Sequence, residues 1–83
     1  MLANDNLVPC FVQLDNSPEA VRELKSFLKS NGVHVFDSVV SVSGDNEILT
    51  IHLNVQFEKE VDIDDVFDRY LKKENVRQAF SLG

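Results

Sequence analysis

The two histidines of this chain, His34 and His52, are the side chains best suited to hold a transition metal. We expect them to lie on neighbouring strands, facing the same side of one sheet. Asn54 or Glu58 would have to complete the site. A structural zinc ion takes four ligands at characteristic spacings, and this set matches none of them. We therefore predict solvent-facing histidines, no metal site and no other cofactor.

Four aspartates lie close together in the last third of the chain: Asp62, Asp64, Asp65 and Asp68. Carboxylates are the ligands that hard cations such as magnesium prefer. Helix capping accounts for two of them, because Asp62 is a good N-cap and Asp65 follows three residues later, as in a capping box. Asp64 and Asp68 are spaced to form one exposed helical face. We interpret the cluster as structural.

No other residue type forms a catalytic constellation. Cys10 is the single cysteine, so no disulfide can form within the chain, and its inward position on a predicted strand indicates a buried, inert thiol. Gly32 and Gly44 are isolated and make no phosphate-binding loop. We predict that the chain is not an enzyme.

The composition of the chain limits the classes of partner that it can bind. The chain has 83 residues, which indicates one domain over 1–83, with a net charge of −6. An acidic surface repels phosphate backbones, which argues against nucleic-acid binding. An acidic inhibitor that mimics nucleic acid stays a third and weaker hypothesis, because the acidic residues are scattered along the chain. No apolar run approaches the ~18 residues that span a bilayer. Residues 1–6 lack the features of a signal peptide, and we expect them to be disordered.

The clearest structural signal is the stretch Leu49–Phe57. Apolar residues occupy its odd positions, and Thr50, His52, Asn54 and Gln56 fill the even ones. Side chains of a strand alternate between its two faces, so this period of two predicts a half-buried strand. One face must meet a core, and the other is left polar.

The rest of the chain divides into strands and helices around that stretch. Ser17 and Pro18 suit the cap and first turn of a helix over 18–31. A phase break between Val35 and Val40 predicts a β-bulge near Phe36–Ser38. The predicted order is strand 8–14, helix 18–31, strand 33–43, turn 44–46, strand 47–61, a helix after Asp62, and strand 76–82.

The last helix is predicted from an apolar stripe at helical spacing. Lys72 and Lys73 would lie in its final turn, where positive charge complements the helix dipole. The stripe comprises Ile63, Val66, Phe67, Tyr70 and Leu71.

This order predicts an α+β, ferredoxin-like βαββαβ sandwich, and a chain of this length with this order resembles an ACT-type (ACT-like) regulatory domain. Two helices with single apolar stripes cover one face of a four-stranded antiparallel sheet, whose first and third strands are central. The opposite face stays open, and an open face with some apolar content is a natural association surface. The candidate ligand- or partner-binding residues on this face are His34, Phe36, Thr50, His52 and Asn54.

Three parts of the chain resemble the soluble C-terminal domain of the MgtC/SapB family of bacterial inner-membrane proteins. They are residues 21–33, residues 49–55, and the ending formed by 61–67, 70–71 and 75–80. The resemblance implies a regulatory or interaction domain on the cytoplasmic side of the inner membrane, attached to a membrane domain outside this chain. It also implies a role in magnesium adaptation and survival in macrophages. We expect a homodimer or a protein partner, bound through the sheet face or a sheet edge.

An alternative is a small-molecule-sensing ACT-type regulatory domain of a metabolic enzyme or transporter. Amino-acid-binding ACT domains usually carry a glycine between their first strand and first helix, where backbone amides approach the ligand. Here that loop, Leu14–Pro18, has no glycine. The departure argues against amino-acid binding and leaves other ligands open.

Overall fold

The structure, a computed structural model, describes residues 7–83, so the disorder predicted for residues 1–6 lies outside the described part. Six elements follow one another in the predicted βαββαβ order. They are β1 (Val8–Asp15), α1 (Ala20–Ser30), β2 (Val33–Ser43), β3 (Ile48–Phe57), α2 (Ile63–Leu71) and β4 (Val76–Ser81).

The four strands form one sheet in the order β2-β3-β1-β4. All three strand pairs are antiparallel, and β1 and β3 are the central strands, as predicted. Buried residues of both helices join the inward residues of the sheet in a single core cluster. The ferredoxin-like α+β fold is therefore confirmed.

Strand β3 divides its side chains between two environments. Leu49, Ile51, Leu53 and Val55 are all buried, with no more than 5% of each side chain exposed. Burying an aliphatic side chain of this size stabilises a protein by about 1.5–3 kcal/mol. The even-numbered residues between them face away from the helices, so the predicted alternation is confirmed.

The bulge predicted in the second strand is present. Val35 pairs with Val55, and Asp37 pairs with Asn54, so Phe36 is an extra residue without a partner on β3. An extra residue reverses the phase of everything that follows. Val33 and Val40, which have opposite parity in the sequence, consequently both lie on the side of the sheet that faces the helices.

The start of α1 differs from the prediction. The helix begins at Ala20 with Glu19 as N-cap, and no side chain caps it. The Ala20 amide donates to the Ser17 carbonyl at 3.2 Å, so residues 17–20 form a separate turn before the helix. The predicted Ser17 cap and the bounds 18–31 were therefore wrong, and Glu19 instead pairs with Arg22.

The start of α2 agrees with the prediction, but its end does not. The Asp65 amide donates to the Asp62 carboxylate at 3.2 Å, which confirms the cap. The helix stops at Leu71, which is 40% exposed and outside the core. Lys72 is the C-cap and Arg69 is the basic residue of the last turn, so the placement of Lys72 and Lys73 was wrong.

Strands β3 and β4 are shorter than predicted. Strand β3 ends at Phe57 instead of Val61, because the Val61 amide donates to the Glu58 carbonyl in a turn that leads to the Asp62 cap. Strand β4 ends at Ser81 instead of Leu82. Both strands are therefore shorter than predicted, and the topology of the sheet is unchanged.

Paired substitutions on β3 test the assignment of its two faces. Leu53→Ala should lower the free energy of unfolding by about 2–5 kcal/mol, because it leaves a cavity in the core. His52→Ala should cost far less, since its side chain is exposed. Urea unfolding of both variants measures the difference, and equal losses would mean that the faces are assigned wrongly.

Candidate interaction surface

A row of four side chains crosses the open face of the sheet, one from each strand. Val39 lies opposite His52, His52 opposite Phe11, and Phe11 opposite Phe80. We call these four residues the outer row. It runs perpendicular to the strands, from β2 at one edge of the sheet to β4 at the other.

The rings of the outer row contact one another. Phe11 and Phe80 stack with centroids 5.2 Å apart and planes at 28°. His52 meets Phe11 edge-on, at 5.3 Å and 75°. Both arrangements are favourable for aromatic pairs. The row still offers apolar surface to solvent, because Phe80 is 40% and Val39 is 67% exposed.

A row of neutral polar side chains lies on one side of the outer row. The register aligns Gln78, Gln13, Thr50 and Ser41 across the same four strands. Gln13 Nε2 donates to Thr50 Oγ1 at 3.2 Å, which holds two of these side chains together on the central strands. Thr50, a predicted site residue, therefore borders the apolar row.

Asn54 and Asp37 lie on the other side of the outer row. Asn54 Nδ2 donates to Asp37 Oδ1 at 2.7 Å, so the carboxylate next to the bulge has a partner. Pro9 lies opposite Asn54 on β1. The three predicted residues of β3, Thr50, His52 and Asn54, thus stand side by side on the open face.

His34 also faces outward, but it lies far from His52. It pairs with Gln56, four positions along β3 from His52, which corresponds to about 14 Å along the strand. The two imidazoles therefore cannot share one ion. Within residues 7–83, no group of three or more His, Cys, Asp or Glu residues is arranged to hold a metal.

Phe36 lies apart from the outer row. As the extra residue of the bulge it is 68% exposed, and it lines a groove with Lys25 and Lys29 of α1. The bulge therefore places Phe36 at the edge of the sheet, away from Thr50, His52 and Asn54 and in the same groove as His34.

Three members of the outer row were not among the predicted site residues: Phe11, Phe80 and Val39. A signal for the first was present, because Phe11 stands between the inward-facing Cys10 and Val12 and must therefore face outward. An outward-facing aromatic side chain adds to the apolar area of the open face. The cross-strand register that unites the three residues is not contained in any one segment.

The Cys10 thiol is buried, as predicted. Its side chain is 1% exposed and its Sγ approaches the Val8 carbonyl at 3.6 Å. Burial raises the pKa of Cys10 to about 12, and the negative charge of Asp64 adds to the increase. The thiol is therefore protonated at neutral pH and unsuited to nucleophilic attack.

The backbone amides at the end of β1 and at the start of the loop to α1 donate hydrogen bonds within the protein. The Asp15 amide donates to the Asn75 carbonyl at 2.9 Å, and the Asn16 amide donates to the Glu47 carbonyl at 2.8 Å. The Asn16 side chain adds a bond to the Asn46 carbonyl at 2.7 Å. These donors are already bonded within the protein, so they are not available to a ligand bound at this loop in the manner of an ACT domain.

One solved structure relates this architecture to a known protein. The C-terminal domain of the MgtC protein from Mycobacterium tuberculosis matches 94% of this chain and 88% of its own chain, with a TM-score of 0.62 and 13% sequence identity. The two domains share a fold. The resemblance to the MgtC/SapB domain is thereby confirmed at the level of the fold.

Sequence comparison adds no further relative. No family model matches the chain, and no curated protein matches it either. Within residues 7–83 there is also no helix that is both long and apolar enough to cross a membrane.

Alkaline pH should destabilise the protein through two buried groups. Burial raises the pKa of Tyr70, like that of Cys10, to about 12, with Glu23 contributing. In the unfolded chain a thiol ionises near about pH 8.5 and a phenol near about pH 10. The unfolded chain then binds fewer protons than the folded one, so the free energy of unfolding should fall as pH rises from about 8.5 to about 12.

Urea unfolding at a series of pH values measures this decline. Cys10→Ala should flatten the plot of unfolding free energy against pH in its lower part, and Tyr70→Phe should flatten the upper part. Any loss of stability that either substitution causes at neutral pH does not affect this comparison. A profile that is flat in the wild type, or unchanged in slope in both variants, would contradict the assignment.

Proposed function

We propose that this chain is a non-catalytic regulatory module, the soluble domain of an MgtC/SapB-type membrane protein on the cytoplasmic side of a bacterial inner membrane. It acts by associating with a second copy of itself through the open face of the sheet. The fold shared with the MgtC C-terminal domain supports the first part. The exposed outer row is the observation that supports the second.

The middle of the open face is suited to a second copy because it carries little charge. In the outer row and the rows on either side of it, Asp37 is the charged residue, and its carboxylate is bonded to Asn54. Farther along the same face, Asp15 forms an ion pair with Arg77. The chain as a whole contains 14 acidic and 8 basic residues. Two copies with a net charge of −6 repel each other least where they meet through such a neutral face.

The arrangement of the face also fits a twofold interface. A twofold axis pairs a patch with the same patch on the partner. The outer row is linear, so the row of one copy can pack across the row of the other. Apolar side chains in the middle with polar side chains on both sides form the usual pattern of a core and a rim. Gln13 and Thr50 contribute to that rim.

The size of the face indicates a weak dimer. Four strands about 4.8 Å apart, over about eight residues of about 3.4 Å each, give a face of about 500 Å². Two copies would then bury about 1,000 Å² in total, at the lower limit for a specific interface. We therefore expect association to depend on concentration and to be reinforced wherever a membrane domain brings copies together.

Two substitutions on one strand test the self-association. Val39→Asp places a charge in the outer row, whereas Val42→Asp places the same charge on the helix side of β2, where Val42 is 50% exposed. Sedimentation equilibrium from about 10 μM to about 1 mM should show a wild-type dimer that Val39→Asp weakens about tenfold or more. Val42→Asp should associate like the wild type.

Two results would contradict this proposal. A wild type that stays monomeric over the whole range would remove self-association. Equal weakening by Val39→Asp and Val42→Asp would mean that charge alone, and not the outer row, controls it.

The assignment to a membrane protein has a separate test. The complete gene should encode several apolar segments of about 20 residues, each long enough to span a bilayer. A gene without such segments would overturn this part of the proposal. It would not affect the self-association, which the two substitutions test separately.

A further inference from the structure

A groove of about 340 Å³ lies between helix α1 and the edge of the sheet. We call it the edge groove. On the helix side it is lined by Lys25 and Lys29, and on the sheet side by residues 33–38 of β2. The sheet side includes Asp37, whose carboxylate is bonded to Asn54 beside the outer row. The four residues of the outer row lie outside the groove.

The sheet side of the edge groove is an exposed strand edge. Among residues 7–83, strand β2 pairs only with β3, on one side. An edge strand presents backbone N–H and C=O groups that no neighbouring strand satisfies. An extended peptide can pair with such an edge and add a strand to the sheet.

The helix side of the edge groove carries two positive charges. Lys25 and Lys29 are one helical turn apart, so their side chains lie on the same side of α1. The ion pairs among residues 7–83 are formed by arginines, namely Arg22, Arg69 and Arg77. Both lysines are thus left without a carboxylate partner in the described part of a chain whose net charge is −6.

Phe36 adds an apolar contact to the same groove. It is 68% exposed, and the bulge between Val35 and Asp37 separates it from the pairing with β3. Bulges commonly redirect a side chain next to a functional site. An exposed phenylalanine beside two lysines suits a partner that alternates apolar and acidic side chains.

A second copy of this chain is a poor occupant of the edge groove. If two β2 edges paired about a twofold axis that passes near residues 33–38, Lys25 and Lys29 of one copy would approach those of the other, which is unfavourable. An acidic segment of a different protein has the complementary charge.

We propose that the edge groove binds an extended, acidic peptide segment of a partner protein. The segment pairs with the free edge of β2, its carboxylates contact Lys25 and Lys29, and an apolar side chain packs on Phe36. This function goes beyond the self-association proposed above, because it uses another surface and another kind of partner.

A synthetic peptide of about ten residues, in which glutamate alternates with valine, is the probe for this site. Its control is the same peptide with lysine in place of glutamate. Fluorescence anisotropy at low ionic strength should show binding of the acidic peptide and none of the basic one. Peptide binding should also slow the hydrogen exchange of amides within residues 33–38, because strand addition gives them acceptors.

Matched variants separate the groove from the overall charge. Lys25→Glu with Lys29→Glu should weaken peptide binding about tenfold or more. Lys59→Glu with Lys72→Glu makes the same change in net charge at exposed positions elsewhere, and should have a much smaller effect. Phe36→Ala should weaken binding as well, while circular dichroism confirms that every variant is folded.

Three results would overturn the proposal. The first is no binding of the acidic peptide at millimolar concentration. The second is an equal loss of binding in the two double-lysine variants, and the third is binding without protection of the amides in residues 33–38. A dimer that Lys25→Glu with Lys29→Glu strengthens would assign the edge to a second copy and would also overturn it.

Discussion

The structure depends on the strict alternation of side chains along β3. This strand pairs with β1 on one side and β2 on the other, so its register fixes the register of three strands. A slip of one residue would turn every side chain to the opposite face. Leu49, Ile51, Leu53 and Val55 prevent such a slip, because each would exchange a buried position for an exposed one. The same register fixes the outward side chains of β3, and it thereby places His52 in the outer row between Val39 and Phe11.

The bulge at Phe36 reconciles that register with the sequence of β2. Without it, Val40 and Val42 could not face the helices together with Val33 and Val35. The bulge also removes Phe36 from the pairing with β3 and leaves its ring exposed beside α1. One local irregularity thus separates two candidate surfaces, a neutral apolar row on the open face and a basic groove at the edge.

Much of this fold could be predicted from local patterns. The alternation in residues 49–57, the Asp62 cap and the phase break in β2 each depend on neighbouring residues, and each was confirmed. The Ser17 cap was wrong because a turn involving the Ser17 carbonyl competes with helix initiation, and local sequence does not decide between them.

The candidate surface was harder to predict, because it depends on register between distant strands. Thr50, His52 and Asn54 were found through the alternation within β3. Phe11, Phe80 and Val39 join them only through pairing with β1, β4 and β2. The distance between His34 and His52 likewise follows from register, which no single segment contains.

An NMR dilution series of the wild-type domain shows whether the open face of the sheet associates, since amide chemical shifts report contacts residue by residue. If two copies meet through this face, the shift changes between about 1 mM and about 10 μM, a range that spans a weak dimer, should concentrate at Phe11, Val39, His52 and Phe80. Shifts confined to α1 and α2, or none at any amide, would contradict association through this face.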